Sequence, residues 1–265
     1  MVNHLNTDVI SSIKSKETEY AESFRKFVNL GDEKVFLLKK IRQLVHLRQG
    51  KRFLDIGGGF GHFTIPLSKE VGSTLVVEPN RLFSKKFRAN GIQCEEKKWE
   101  EIELSPSSFD IILAAFVATH FPKSRLPSLL RKMIRVLAPN GELVLMTIDG
   151  LEGTWREIHT IFYRAIGLGR RVSSSLVIKK ILKKIGAREE KIVIYLSART
   201  KKEIIDALAF DFVDFQKEFD EMRPLFEKYL IDKRKGKLYQ LSMVINFYYY
   251  QKPNSDKNFG KTQNK

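Results

Sequence analysis

The sequence predicts an α/β fold built on a doubly wound, mostly parallel sheet of seven strands. Two observations carry this prediction. Short apolar segments alternate with amphipathic helical segments between residues 52 and 147, and short turns join them. The first apolar segment runs into RFLDIGGGFG, residues 52–61, and a helical segment follows. A strand that passes through glycines into a helix lets the backbone approach a ligand closely, with free N–H groups at the start of the helix.

The composition is that of an ordinary globular protein. The 265 residues are 43% hydrophobic, which is enough to bury one sizeable core. The formal net charge is +16. Such a charge can attract nucleic acid or another anionic surface, or it can belong to well-solvated faces. Because the basic residues are dispersed along the chain, we favour solvated faces and do not expect a nucleic-acid partner.

Cysteine usage and hydropathy indicate the compartment. The single cysteine, Cys94, excludes an internal disulfide, which fits a reducing environment. The N-terminal segment lacks the apolar core of a signal peptide, and the most apolar run, residues 111–117, is far too short to span a bilayer. No spacing of Cys and His typical of a metal site occurs. We therefore expect a cytoplasmic monomer with no membrane contact and no metal.

Two helices are predicted ahead of the first strand. Residues 1–16 are polar and expected to be disordered, whereas residues 17–47 follow a helical pattern that breaks at residues 29–32. The spacing of Tyr20, Phe24 and Phe27 places three aromatic rings on one helix face. This face either packs on the domain or forms a lid over a ligand pocket. Asp32 is a candidate N-cap of the second helix, with Glu33 in its first turn.

The glycine-rich loop indicates the kind of cofactor. Its spacing is GxGxG, with Gly58 between Gly57 and Gly59 and the third glycine at Gly61; a dinucleotide site would place that glycine at position 62, which is His62. Asp55 precedes the loop and would repel a phosphate. Glu78 ends the next strand, residues 74–77, at the distance usual for an acid that binds ribose hydroxyls. Together these features resemble the S-adenosylmethionine site of class I methyltransferases.

The rest of the sheet is predicted in the same alternation. A helix over residues 79–90, a strand over 91–94, a central strand over 109–115, a helix over 126–137 and a fifth strand over 142–147 follow Glu78. The ligand of such a sheet lies at the carboxyl ends of the strands, where Ala115 falls. Trp99 stands where class I methyltransferases contact the adenine; its indole either offers a stacking face or is structural.

Beyond residue 148 the chain departs from the minimal fold. Helices are predicted over residues 154–167, 173–185, 201–210 and 214–230, with strands over 191–196 and 238–249 and a disordered tail over 251–265. We expect one methyltransferase domain over residues 17–250. Its N-terminal helices (17–50) and its additions (151–190 and 201–235) are expected on the substrate side. In class I methyltransferases the last two strands form an antiparallel hairpin at the sheet edge.

Several stretches together resemble the histamine N-methyltransferase family. They are YAESFRKFVNLGDE (residues 20–33), IGGGFG (56–61), VVEP (76–79), a Trp after the fifth strand and RKGK (234–237). The resemblance covers roughly residues 18–250. It implies that Glu33 holds a substrate amine and that Glu78 binds the cofactor ribose. It also implies an aromatic substrate wall made by Tyr20, Phe24, Phe27, Trp155 and His159.

The chain departs from that family at its polar substrate contacts. A glutamine after the fourth strand is replaced by Phe116, two tyrosines by Thr119 and His120, and an asparagine on the last strand by Ser242. A site that loses such groups does not keep the same ligand by default. The resemblance therefore implies methyl transfer to an amine without implying histamine, with Phe116 and Ser242 among the substrate-binding residues.

The predicted function is methyl transfer from S-adenosylmethionine to a small molecule, with an amine nitrogen preferred. Glu33 would orient the amine, and His120 and His159 are the candidate general bases of the region. Three alternatives stay open: an O-methyltransferase, an RNA or protein methyltransferase suggested by the charge, and a non-enzymatic protein of the same fold. The fourth strand ends in AAFV, residues 114–117, rather than in the Asn/Asp-Pro-Pro-aromatic motif of RNA base methylation.

Overall fold

The chain begins with two helices, α1 (Thr7–Val28) and α2 (Glu33–Leu44). A computed structural model describes residues 7–31, 33–168 and 174–254, with side chains from residue 18 onward. Helix α1 starts well before the predicted start near residue 17, so the expectation of disorder up to residue 16 is wrong from Thr7 onward. The proposed cap Asp32 and most of the predicted tail lie outside the described residues.

The helices and strands that follow alternate as the sequence predicts. They are β1 (Arg52–Ile56), α3 (Thr64–Ser68), β2 (Ser73–Val77), α4 (Arg81–Ala89), β3 (Gln93–Glu95), β4 (Phe109–Ala115), α5 (Leu126–Val136), β5 (Leu137–Ile148), α6 (Thr154–Ala165), α7 (Ser174–Lys184), β6 (Arg188–Ala198), α8 (Lys201–Leu208), α9 (Gln216–Glu221), α10 (Arg223–Tyr229), β7 (Arg234–Lys235) and β8 (Leu238–Gln251).

Local sequence explains several of the helix ends. The Asn80 side chain caps α4 by accepting a hydrogen bond from the backbone of Leu82 (2.9 Å). Thr200 and Glu203 form a reciprocal capping box at the start of α8. In place of the single helix predicted over residues 214–230, two short helices follow a 3₁₀ segment, Ala209–Phe215, because Pro224 occupies the first turn of α10.

The sheet confirms the predicted fold class, but the described residues form eight strands instead of the predicted seven, because a two-residue strand, Arg234–Lys235, precedes the last one. Its order is β3-β2-β1-β4-β5-β8-β6, with β7 paired to β8. The pairs β1·β2, β1·β4, β2·β3 and β4·β5 are parallel, and β8 runs antiparallel to β5. Order reverses between β1 and β4, and the carboxyl ends of the strands at this switch point form the usual ligand crevice. The described helices are not long and apolar enough to span a membrane.

Hydrophobic clusters cover both faces of the sheet. Leu54 on β1 and Val77 on β2 belong to one cluster, which also includes α5 and α7 residues such as Met133 and Ile178. The neighbouring residue Val76 belongs to a second cluster with Phe87, Ile92 and Cys94. Since successive strand residues point to opposite faces, the two clusters lie on opposite sides of the sheet. A sheet buried on both faces accounts for the continuous apolar runs of its strands.

The described residues fall into two compact units. The first takes its residues from Met1–Phe36, Leu151–Arg171 and Val193–Val244, and the second from Leu37–Gly150, Val172–Ile192 and Ile245–Lys265. The second unit therefore holds β1 to β5. It also holds α7, which was predicted as part of the substrate-side addition over residues 151–190. Ile178 and Leu182 of α7 are buried in the sheet cluster, which explains this placement.

A buried carboxylate ties the segment before β1 to the sheet. Glu142 on β5 is 2% exposed. Its carboxylate accepts hydrogen bonds from the backbone N–H of His46 (2.9 Å) and the hydroxyl of Tyr249 (3.0 Å), and the His46 ring Nδ1 lies 2.6 Å away. We expect Glu142→Gln to lower the free energy of unfolding by about 1–3 kcal/mol, because the buried Tyr249 hydroxyl and the His46 backbone N–H lose a charged hydrogen-bond partner. Urea denaturation measures this.

The matched control for that measurement is Glu190→Gln, which removes a surface carboxylate paired with Lys40. A surface ion pair of this kind contributes about 0–1 kcal/mol, so the control is expected to change little. Equal losses in the two variants would contradict the structural role given to Glu142.

Candidate active site

The glycine loop after β1 is built so that only glycines fit. Gly57 and Gly61 have φ values of +76° and +77°, and Gly59 has a φ of +52°. A Cβ atom at Gly57 would lie 2.6 Å from a methyl group of Val117, and one at Gly58 would lie 2.6 Å from the ring of Phe87. Real Cβ atoms do not approach so closely, and positive φ favours glycine. The loop backbone therefore carries no side chains at these glycines, and it packs closely against Val117 and Phe87.

Glu78 holds this loop in place. It follows β2, and its side chain is 5% exposed. Its Oε2 accepts a hydrogen bond from the backbone N–H of Gly59 (2.9 Å), and its Oε1 accepts one from that of Asn80 (2.9 Å). Burial raises the pKa of Glu78, while the two backbone hydrogen bonds act in the opposite direction. The sequence spacing predicts that Glu78 accepts hydrogen bonds from ribose hydroxyls, but it does not predict the hydrogen bond between Glu78 and the loop.

Asp55 is a second buried carboxylate beside the loop. It is 2% exposed, and the Thr64 hydroxyl donates a hydrogen bond to its Oδ2. Among the described residues no hydrogen-bond donor reaches its Oδ1. Burial is the main cause that raises its pKa to about 7; the Thr64 hydrogen bond opposes the rise, and the charge of Glu78 adds to it. Thr64, whose role the sequence did not signal, thus leaves one carboxylate oxygen available.

The end of β4 carries a strained residue. Ala115 pairs with Met146 of β5, and the next residue, Phe116, has φ 62° and ψ −3°. The Phe116 N–H donates to the Met146 carbonyl (2.9 Å), and its own carbonyl accepts from the Thr119 hydroxyl (2.9 Å). A bulky residue in the left-handed region costs about 1–3 kcal/mol and is typical of functional sites. His120 is exposed at the end of the 3₁₀ turn that follows.

Trp99 lies in the core, which corrects the prediction that its indole stacks on an adenine. It is 2% exposed and belongs to the cluster beneath α5. Its indole N–H donates to the Leu129 carbonyl (3.2 Å), and the Lys132 ammonium lies 4.7 Å from the ring centroid. The structural alternative considered for Trp99 is therefore the one that its contacts support.

The predicted aromatic residues come together in the first unit. Ring centroids of Tyr20 and Phe24 are 5.8 Å apart, and those of Phe27 and Trp155 are 5.2 Å apart. Phe210, which no sequence signal singled out, lies at the centre: its ring is 4.7–6.3 Å from all four. Phe27 and Trp155 are buried, so these two residues serve the core of this unit whatever else they do.

Two other predicted substrate residues are engaged by the protein itself. The ring nitrogens of His159 lie 2.9 Å from the Trp155 carbonyl and 2.9 Å from the Asp211 carboxylate. The Ser242 hydroxyl accepts a hydrogen bond from the Thr154 backbone N–H at the start of α6 (3.0 Å). These contacts position α6 within the first unit. They give His159 no nitrogen for general-base work, and they give Ser242 a helix-capping role.

Glu33 is a buried acid of the first unit. It opens α2 and is 7% exposed. A Cβ atom at Gly31 would lie 2.8 Å from its Oε2, so a glycine at that position makes room for the carboxylate. The start of a helix favours a negative charge. The Glu33 carboxylate is therefore buried, and it lies next to the backbone of Gly31.

Comparison with known proteins identifies the family. The family model described as a methyltransferase domain matches residues 29–188. The chain belongs to this methyltransferase family. It is a methyltransferase that uses S-adenosylmethionine, as the glycine loop and the two acids predict.

The curated relatives are enzymes named ubiquinone/menaquinone biosynthesis C-methyltransferase UbiE. The one from Azotobacter vinelandii is 31% identical over 116 residues, which is 39% of this chain and 45% of that protein. The one from Idiomarina loihiensis is 25% identical over 184 residues, 64% of this chain and 70% of that protein. The chain thus spans less than half of the first relative. These comparisons do not show the closer resemblance to histamine N-methyltransferases.

Solved structures share the fold. A protein of Bacillus halodurans described as a methyltransferase superposes with a TM-score of 0.60 at 18% identity, covering 82% of this chain and 99% of that one. An N-methyltransferase of Haemonchus contortus, solved with phosphomonomethylethanolamine and S-adenosylhomocysteine, superposes with a TM-score of 0.51 at 21% identity, covering 82% of this chain and 52% of that one. At these identities the likeness concerns the fold alone.

The residues of the second unit fit S-adenosylmethionine. This cofactor carries a sulfonium and an ammonium group, and two buried carboxylates lie beside the loop, one with an oxygen that no hydrogen-bond donor reaches in the described structure. The bare glycine backbone admits a ligand closely without offering a phosphate cradle beside Asp55. A cation that reaches Asp55 would supply the partner that a buried carboxylate needs.

The raised pKa of Asp55 makes the stability of the free protein depend on pH. A carboxyl group whose folded pKa is about 7 contributes stability below its unfolded value near 4, and this stability is lost as the pH rises through 7. We therefore expect Asp55→Asn to raise the melting temperature at pH 8 and to change it little at pH 5. Differential scanning fluorimetry across this range tests the expectation; Asp214→Asn, at an exposed position, is the control.

The same group makes cofactor affinity depend on pH in the opposite sense. Because a bound cation favours the ionised carboxylate, the affinity for S-adenosylmethionine is expected to rise by up to about tenfold per pH unit toward pH 7 and then to level off. In Asp55→Asn the affinity should be lower and this rise reduced; Glu78 is the other acid able to contribute. Calorimetric titrations at pH 5.5, 6.5 and 7.5 measure it, and a flat wild-type profile would contradict it.

Proposed function

We propose that this methyltransferase methylates the nitrogen of a small aromatic amine. The observation that carries the proposal is Glu33, a carboxylate 7% exposed at the start of α2, in the unit that also holds the aromatic cluster of Tyr20, Phe24, Phe27, Trp155 and Phe210. A buried carboxylate favours ligands that bring N–H donors, and aromatic rings favour a flat apolar body. The resemblance of residues 20–33 to histamine N-methyltransferases supports the same role.

Within this proposal the glycine loop after β1 and its two neighbouring acids bind the methyl donor, and Glu33 with the aromatic cluster recognises the acceptor. Asp55, Glu78 and the loop Gly57, Gly58, Gly59 and Gly61 bind S-adenosylmethionine, with Ala115 at the neighbouring strand end. The cofactor supplies an electrophilic methyl group on sulfur. Glu33 accepts a hydrogen bond from the amine and orients its lone pair, and an apolar surrounding keeps the amine neutral.

His120 and Phe116 are the remaining residues with a proposed role. The new N–C bond forms as the C–S bond breaks, so the nitrogen gains a positive charge and then loses a proton. His120 is exposed and can receive such a proton and pass it to water. Phe116 is proposed to line the acceptor site, where its strained backbone fixes the direction of the ring. Trp99, His159 and Ser242 are left out, because the protein's own contacts occupy them.

Methylation at carbon is the second candidate. The UbiE relatives are named C-methyltransferases, and the first of them matches 39% of this chain. Such a reaction uses an electron-rich ring carbon of a phenol or hydroquinone as the nucleophile, which needs a hydroxyl that can be deprotonated. The aromatic cluster suits that ring as well, but a buried Glu33 would then have no amine to orient.

A methyl-transfer assay distinguishes these functions. Purified protein is incubated with labelled S-adenosylmethionine and, separately, with histamine, tyramine, dopamine, catechol, a hydroquinone and a short RNA. We expect label on the amines, and expect Glu33→Gln to reduce their kcat/KM about tenfold to a hundredfold, because the amine loses a charged hydrogen-bond partner. Glu203→Gln, an exposed first-turn carboxylate of α8, is the matched control.

The labelled products decide against the proposal in two ways. Label on a ring carbon, located by NMR, would establish C-methylation and overturn the amine assignment. Amine turnover that Glu33→Gln leaves unchanged would keep the function and remove Glu33 from it. Methylation of RNA that falls steeply with salt would favour the basic surface instead.

A further inference from the structure

A buried polar group stands at the end of β5 and on the strand beside it. Thr147 and Asn246 are directly opposite each other in the antiparallel pair of β5 and β8. Directly opposite residues of such a pair point to the same face of the sheet. Both side chains are buried, at 0% and 2% exposure, and Asp149 just beyond the strand is 5% exposed. Three polar residues thus gather where the rest of this face is apolar.

Hydrogen bonds fix the side chain of Asn246. Its Nδ2 donates to Oδ2 of Asp149 (3.0 Å), and the Lys191 ammonium lies 3.0 Å from the same oxygen. A carboxylate only accepts hydrogen bonds, so the amide nitrogen must face Asp149 and the amide oxygen must point away from it. The orientation of the amide therefore follows from chemistry.

Among the described residues, the amide oxygen of Asn246 is one of two unpaired polar atoms in this group, the other being the Thr147 hydroxyl opposite it. The amide oxygen is buried, and within the described parts of the chain no donor reaches it. Buried polar atoms are nearly always paired, so an unpaired one needs an explanation such as a bound water or a ligand. Any group that satisfies Oδ1 must bring an N–H or O–H, because an amide oxygen only accepts. The site therefore favours a ligand that carries a hydrogen-bond donor.

Asn246 lies near the carboxyl ends of the strands, where the ligand of such a sheet binds. Thr147 lies one residue past Met146, which pairs with Ala115 at the end of β4. The turn Val117–His120 packs against β5 and α7. The cofactor loop follows the neighbouring strand β1, so Asn246 stands at the ligand-binding edge of this sheet.

We propose that Asn246 determines acceptor specificity: its amide oxygen accepts a hydrogen bond from an N–H or O–H of the methyl acceptor, and Asp149 and Lys191 hold it in position. This inference rests on the proposed methyl transfer to a small molecule, which it narrows to acceptors that carry such a donor. The ion pair of Asp149 with Lys191 keeps the polar group close to neutral, so the recognised group need not be charged.

The test compares three variants with the wild-type protein. Asn246→Leu removes the acceptor atom at similar size. Asn246→Thr introduces a β-branched residue that suits a strand and replaces the amide with a shorter hydroxyl; it provides the test if the leucine variant does not fold. Tyr248→Phe, two residues further along the same face, removes a hydroxyl that donates to Glu189 (3.4 Å) and serves as the control. The probes are tyramine, dopamine, histamine and catechol with labelled S-adenosylmethionine.

We expect Asn246→Leu and Asn246→Thr to lower kcat/KM for the methylated probe about tenfold to a hundredfold, because the methyl acceptor loses the amide oxygen as its hydrogen-bond partner. The Kd for S-adenosylmethionine should change less than about twofold, and Tyr248→Phe should retain most of the activity. Folded state is checked by melting temperature.

Other outcomes separate this inference from the function on which it rests. Full activity in the Asn246 variants would overturn the role of Asn246, leave the methyltransferase function standing, and indicate a buried water on Oδ1. A parallel loss of cofactor affinity would likewise overturn it, since the residue would then act on donor binding. If wild-type protein binds S-adenosylmethionine but methylates none of the four probes, both the small-molecule proposal and this inference fail.

Discussion

The hydrogen bond from the Gly59 N–H to the Glu78 carboxylate is the contact on which the cofactor site depends. It joins the loop after β1 to the end of β2, the neighbouring parallel strand. Because the loop glycines have positive φ and no side chains, they bring no packing of their own to fix them, and an anion at the strand end does so instead. The other end of the loop is limited by Val117, which leaves Gly57 no room for a Cβ atom. The conformation of the loop is therefore set by residues that follow two different strands, Glu78 after β2 and Val117 after β4.

This arrangement places two acids out of water without a cation beside them in the described structure. Burial raises the pKa of both Asp55 and Glu78, and the charge of Glu78 adds to the effect on Asp55. The free protein bears this electrostatic strain, and a positively charged ligand relieves it. Stability given up at a site in this way is a usual consequence of binding function. Phe116, which follows strand β4 beside β1, likewise has a backbone conformation that costs stability.

Sequence alone predicted the fold and the cofactor well, since both follow from local patterns. Period-two and period-3.6 hydrophobicity gave the order of strands and helices, and the spacing of Asp55, the glycines and Glu78 gave the ligand class. Contacts distant in sequence were not predictable: Thr64 on Asp55, Phe210 among the aromatic rings, and Asn246 with Asp149. Trp99 shows the opposite failure, because a position in a loop did not reveal that its indole fills the core beside Leu129.

Calorimetric titration of S-adenosylhomocysteine into the wild-type protein and Glu78→Gln tests whether the contact between Glu78 and the glycine loop forms the cofactor site. The product lacks the sulfonium charge but keeps the ribose and the ammonium group, so it reports on the loop and the strand end together. We expect saturable one-to-one binding to the wild-type protein and an affinity at least about tenfold lower in Glu78→Gln, with both proteins folded. Absence of binding to the wild-type protein, or equal affinity in the variant, would contradict it.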